Sequence, residues 1–178
     1  MGTIEINLPT ILTFSRIVLV PLFIWITPTN HVLGAMIFLV AAVTDIFDGY
    51  LARKTGQITK FGIILDPIAD KILVISALVL LVDMMMISAW IAIVIIIREF
   101  VVTGIRMVAL SQDIVIPAET GGKLKTGAQM SSLVIILLPG GIGPLDFYDI
   151  GLTLLYIALV LAVISGFNYG VAFWRRLK

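Results

Sequence analysis

Asp45–Asp70, DIFDGYLARKTGQITKFGIILDPIAD, joins the end of one apolar segment to the start of the next and carries four carboxylates, Asp45, Asp48, Asp66 and Asp70. An ionised carboxylate deep in a bilayer costs roughly 2.5–3.5 kcal/mol on insertion scales, so four left uncompensated would cost on the order of 10 kcal/mol. Something positive must sit among them. Oxygen donors without His or Cys suit a hard cation, Mg²⁺, Mn²⁺ or Ca²⁺, rather than Zn²⁺. Four carboxylates are enough for two ions about 3.5–4 Å apart, the arrangement that serves phosphoryl displacements.

The spacing predicts how the carboxylates meet. At about 100° per residue, Asp45, Asp48 and Ala52 share one helix face, and Gly62, Asp66 and Asp70 recur one turn apart on another. The link Arg53–Phe61 is short enough to make the two helices antiparallel neighbours, which brings all four carboxylates together. Gly49 and Gly62 let a backbone or a ligand approach closely. Pro67 donates nothing to the helix ladder, so a carbonyl near Ile63 is freed or the helix kinks there. The plainer alternative pairs the aspartates with Arg53, Lys54, Lys60 and Lys71 at the membrane surface. Four acids in phase with glycines favour the metal.

The surrounding chain is built for lipid. Of its 178 residues, 60% are hydrophobic and 13% charged, against about 45–50% and about 25% in ordinary soluble domains. Mean hydropathy is +1.15. The composition and the recurring apolar runs predict an all-α integral membrane protein of one membrane domain, residues 1–178. No basic stripe lies free of the apolar segments, so no nucleic-acid partner is expected. With no cysteine, disulfides and thiolate ligands are excluded. The start reads as neither a cleaved signal, since Met1–Leu8 has Glu5 and no basic region, nor a myristoylation site, since Ile6 stands where Ser or Thr is needed.

Six transmembrane helices are expected, at Leu8–Ile26, Val32–Leu51, Gly62–Val82, Ile87–Leu110, Lys125–Leu138 (short, and expected to begin nearer Gly122) and Leu152–Phe173. Turn chemistry separates them at Thr27–Asn30, Lys54–Gln57 and Pro139–Pro144. Arg53, Lys54, Lys60, Lys123, Lys125, Arg175, Arg176 and Lys178 fall after even-numbered spans, while Asp83, Asp146 and Asp149 fall after odd-numbered ones. The positive-inside rule then puts both termini and the basic loops in the cytoplasm.

The pattern Asp45-x-x-Asp48-Gly49-x-x-Ala52-Arg53, eight residues, Gly62-x-x-x-Asp66-x-x-x-Asp70 resembles the complete signature of the CDP-alcohol phosphatidyltransferases. That resemblance implies a six-helix homodimeric membrane enzyme that moves a phosphatidyl group from a CDP-linked lipid to an alcohol and releases CMP. It implies metal ligands at Asp45, Asp48, Asp66 and Asp70, Mg²⁺ or Mn²⁺ as cofactor, and Asp70 as the catalytic base. Gly49, Ala52, Arg53 and Gly62 would receive the CDP-lipid. The signature leaves the acceptor open.

Other segments bear on it. Asn7–Arg16, Arg98-Glu99-Phe100, Arg106 and Gly122-Lys123-Leu124-Lys125-Thr126 resemble the bacterial members that act on CDP-diacylglycerol and sn-glycerol 3-phosphate, which implies an inner-membrane enzyme with its site facing the cytoplasm. Charge agrees: Arg98, Arg106, Lys123 and Lys125 are cations within or beside apolar runs, suited to an acceptor phosphate, unless they only snorkel. Glu99, Thr103 and Arg106 share a helix face, so Glu99 is expected to orient an arginine. Arg16 is an early intramembrane cation, a candidate for the metal site or a lipid phosphate. Acceptors within the same family, inositol phosphate, serine or phosphatidylglycerol, are the nearest alternatives. A divalent-cation transporter is the remote one, since no acidic path continues outward.

Overall fold

A computed structural model describes the backbone of residues 8–55, 60–112 and 120–177 and the side chains of residues 15–44, 71–109, 111–112 and 124–176. Six helices run through the described residues: α1 (Leu8–Ile26), α2 (His31–Thr55), α3 (Lys60–Asp83), α4 (Ala89–Ser111), α5 (Thr120–Ile136) and α6 (Phe147–Leu177). Each of the six expected apolar segments is a helix. The fifth begins at Thr120, before Gly122. The sixth extends beyond Leu152–Phe173 at both ends, with Asp149 in its first turn and Arg175 and Arg176 in its last. Those charges complement the helix dipole and favour the longer helix.

The helices form two groups. α1 packs on α2 and α3, while α6 packs on α5 and α4. Contacts of α3 with α4 and of α2 and α3 with α5 join the groups. Phe23, Phe38, Leu78, Ile95, Leu133 and Leu155 are fully buried in the shared core. The Phe23 and Phe38 rings lie 5.6 Å apart at 51°, within the usual range for a tilted aromatic pair.

Local chemistry sets the helix ends. Asn30 caps α2 by accepting from the Leu33 N–H at 3.0 Å. After α3 the chain turns at Met85, whose φ of +57° lets Met86 N–H reach the Leu81 carbonyl at 2.9 Å. The Tyr148 hydroxyl donates to the Met86 carbonyl at 2.7 Å, tying the start of α6 to that turn. At the same end Gly151 brings α6 against the last turn of α5: a Cβ there would lie 2.8 Å from the Ile136 backbone nitrogen.

In the sequence, Pro139–Pro144 marks only a break between helices. The chain uses it for a small antiparallel hairpin, β1 (Gly141–Ile142) and β2 (Leu145–Asp146), paired Gly141 to Asp146 and Ile142 to Leu145. Gly143 turns it at φ +61°, followed by Pro144. A two-residue hairpin turn of the II′ kind puts glycine at that first central position.

The outward faces are themselves apolar. Ile93, Ile97, Phe100 and Val101 on α4 and Ile157, Val160, Ile164 and Phe167 on α6 are all exposed, a continuous pattern that water-soluble surfaces avoid. Among the described residues, one helix, Phe147–Arg176, is long and apolar enough by itself to cross a membrane. α4 interrupts its apolar run with Arg98, Glu99 and Arg106, and those three residues build the site described next.

Candidate active site

The described part of the site lies where α4, α5 and α6 meet. Arg98 uses its guanidinium in three directions. Nε donates to the Ala162 carbonyl at 3.0 Å, Nη2 to the Ser165 hydroxyl, and Nη1 to Glu99 Oε1 at 3.1 Å. The first two partners are on α6, so Arg98 staples α4 to that helix. Gly166 makes room for it: a Cβ there would lie 3.3 Å from Arg98 Cγ.

Glu99 Oε1 also accepts from Lys125 Nζ on α5. Lys125 is only 3% exposed, and an ammonium so buried requires a counter-charge. Two turns along α4, Arg106 Nη2 donates to the Tyr169 hydroxyl at 3.2 Å, and its guanidinium carbon lies 5.6 Å from the Tyr169 ring centre. Thr103 closes on its own helix, donating to the Glu99 carbonyl at 2.7 Å. Glu99 therefore does orient an arginine, but that arginine is its neighbour Arg98, while Arg106 turns to α6.

Lys71, Glu99, Lys125, Thr126 and Gln129 form the polar side of a cavity between α3, α4 and α5, and Leu78, Ile95 and Met130 form part of its apolar side. Gln129 is 2% exposed. Gln129, Ser165 and Tyr169 are site residues that sequence reasoning missed. A signal existed for Gln129, a lone amide in an apolar run one turn beyond Lys125. None existed for Ser165, whose role depends on a residue in another helix.

The remaining expected positions fall partly outside the described residues. The backbone carries Asp45, Asp48, Gly49, Ala52 and Arg53 in α2 and Gly62, Asp66 and Asp70 in α3, and those two helices touch. Their side chains, and that of Lys123, lie outside the described residues. Arg16, on α1, is buried at 1% exposure.

With this arrangement, comparison with known proteins is decisive. Residues 6–164 match the CDP-alcohol phosphatidyltransferase family. The chain belongs to that family. It is therefore a transferase of phospholipid synthesis. Among similar curated proteins, the CDP-diacylglycerol–glycerol-3-phosphate 3-phosphatidyltransferase of Bacillus subtilis (strain 168) is 40% identical over 191 residues, 97% of each chain. The protein of the same name from Rickettsia bellii (strain RML369-C) is 37% identical, covering 93% of this chain and 94% of its own. A probable phosphatidylglycerophosphate synthase of Mycobacterium tuberculosis (strain CDC 1551 / Oshkosh) is 39% identical, covering 92% of this chain and 79% of its own.

Proposed function

We propose that the chain transfers the phosphatidyl group of CDP-diacylglycerol to sn-glycerol 3-phosphate, forming phosphatidylglycerol phosphate and releasing CMP. The observation that carries this reading is the near full-length similarity to relatives named for that reaction. The buried cation Lys125, on a cavity wall beside Glu99, supports it, since a phosphorylated acceptor needs positive partners.

In the reaction, the primary hydroxyl oxygen of the acceptor bonds to the phosphatidyl phosphorus and the bond from that phosphorus to the CMP oxygen breaks. Asp70 takes the hydroxyl proton. A carboxylate is a weak base for an alcohol, so the proton moves as the new bond forms rather than before it. Arg106, Lys123 and Lys125 bind the acceptor phosphate, and Arg98, held by Ala162, Ser165 and Glu99, adds its positive charge to the same region. Gly49, Ala52, Arg53 and Gly62 receive the CDP-lipid.

The donor set Asp45, Asp48, Asp66 and Asp70 is all carboxylate oxygen and fits Mg²⁺ or Mn²⁺, two ions in this reading. Bound divalent metal supplies charge neutralisation for the pyrophosphate. Residues 1–178 act as one catalytic domain of a homodimer that spans the bacterial cytoplasmic membrane six times. Both termini and the active site face the cytoplasm. The exposed apolar faces of α4 and α6 support contact with membrane lipids.

Competition between radiolabelled acceptors tests the substrate. Glycerol 3-phosphate is expected to outcompete inositol phosphate, serine and phosphatidylglycerol, and a preference for any of those would overturn the assignment.

A further inference from the structure

The cavity between α3, α4 and α5 measures about 30 Å³. One ordered water needs roughly 10–15 Å³ on this measure, so a small hydroxylated group fits. Gln129 lines it while 2% exposed, and neither Nε2 nor Oε1 has a hydrogen-bond partner among the described residues. Its backbone carbonyl accepts from the Ser132 hydroxyl at 2.7 Å, which leaves the side-chain amide unengaged among the described residues. Buried amides are almost always paired in folded proteins, and an exception calls for a ligand or a function.

The neighbours indicate what the amide meets. Lys125 lies one turn before Gln129 on α5, and Lys71, on the opposite wall, directly follows Asp70 in the chain. The cavity is thus lined by the proposed phosphate cation, Lys125, and by the residue that follows the proposed base in the chain. Glycerol 3-phosphate has three polar parts: a phosphate for a cation, a primary hydroxyl for a base, and a secondary hydroxyl between them. A hydroxyl both donates and accepts, and a carboxamide offers one partner for each role.

We propose that Gln129 binds the secondary hydroxyl of the acceptor and sets the enzyme's preference for a glycerol over a plain propanediol phosphate. This rests on the acceptor assignment above, and the test separates the two. The probe is 3-hydroxypropyl phosphate, which keeps the phosphate and the attacking hydroxyl but lacks the secondary one. For the unaltered enzyme, kcat/KM is expected to favour glycerol 3-phosphate by roughly 10–100-fold, the worth of one hydrogen bond in a dry site. In Gln129→Met that preference is expected to fall to within about 3-fold, by loss on glycerol 3-phosphate alone, since only the amide's hydrogen bond is removed.

Thermal unfolding without acceptor gives a second readout. Gln129→Met and Gln129→Leu remove an unpaired buried amide, so neither is expected to lower Tm. Three outcomes would overturn the proposal: equal loss on both acceptors, retention of the preference in the variants, or a large fall in Tm in both. No preference in the unaltered enzyme would also overturn it. No turnover of glycerol 3-phosphate at all would instead overturn the acceptor assignment.

Discussion

Lys125 on α5 donates to the Glu99 carboxylate on α4, and the same oxygen accepts from Arg98 Nη1 at 3.1 Å. One carboxylate therefore holds two cations, and the lysine of the pair has a side chain only 4% exposed. Removing one member of a buried pair is costly chiefly because it strands the other.

Glu99→Gln is accordingly expected to lower Tm and to reduce kcat/KM for glycerol 3-phosphate by about 10-fold or more, with the KM for CDP-diacylglycerol little changed. A thermodynamic cycle with Lys125→Met checks the cause. The double variant should be more stable than the sum of the single effects by about 1 kcal/mol or more. Simple additivity would count against the pairing.

Arg98 spends its guanidinium on Ala162, Ser165 and Glu99, and a lysine cannot reproduce that three-way fork. Arg98→Lys is expected to lose stability even without substrate, by about 1–3 kcal/mol from hydrogen bonds to a charged group. Were Arg98 chiefly a phosphate ligand, the variant would keep its Tm and show only a raised acceptor KM. Thermal melts with and without glycerol 3-phosphate distinguish the two.

Gly166 faces Arg98, whose Cγ would be 3.3 Å from an added Cβ, whereas a Cβ on Gly170 would meet nothing within 4 Å. Gly170→Ala should gain up to about 1 kcal/mol from helix propensity, or about 2–4 °C in Tm for a chain of this size. Gly166→Ala should gain less or lose, because Arg98 must shift. Equal melting temperatures would mean that α6 does not clamp Arg98.

Asp70→Asn keeps the shape and removes the base. Turnover is expected to be abolished while CDP-diacylglycerol binding is largely retained, as measured by equilibrium binding of the labelled lipid. Normal turnover would end the assignment of Asp70 as base.

Much of the fold is legible in the sequence because lipid imposes a simple rule: long apolar runs must satisfy their backbones as helices. The six runs and their separating turns follow from that rule. The hairpin at Gly141–Asp146 and the left-handed Met85 do not, because they depend on how neighbouring helix ends are tied, as by Tyr148 to Met86. In the site, the residue types at Arg98, Glu99, Arg106 and Lys125 point to an anion-binding region. Their pairing does not follow from spacing, since Arg98 and Arg106 find Ser165 and Tyr169 in a helix far along the chain. Gln129 is a partial case: the lone amide one turn beyond Lys125 is visible in the sequence, but it matters only because it faces inward.

The most direct test is CMP release by the purified protein in detergent, with CDP-diacylglycerol and Mg²⁺, with and without glycerol 3-phosphate. Release is expected to depend on glycerol 3-phosphate and to stop when EDTA removes the metal. CMP release indifferent to the acceptor, or no release from folded, metal-replete protein, would contradict the proposed reaction.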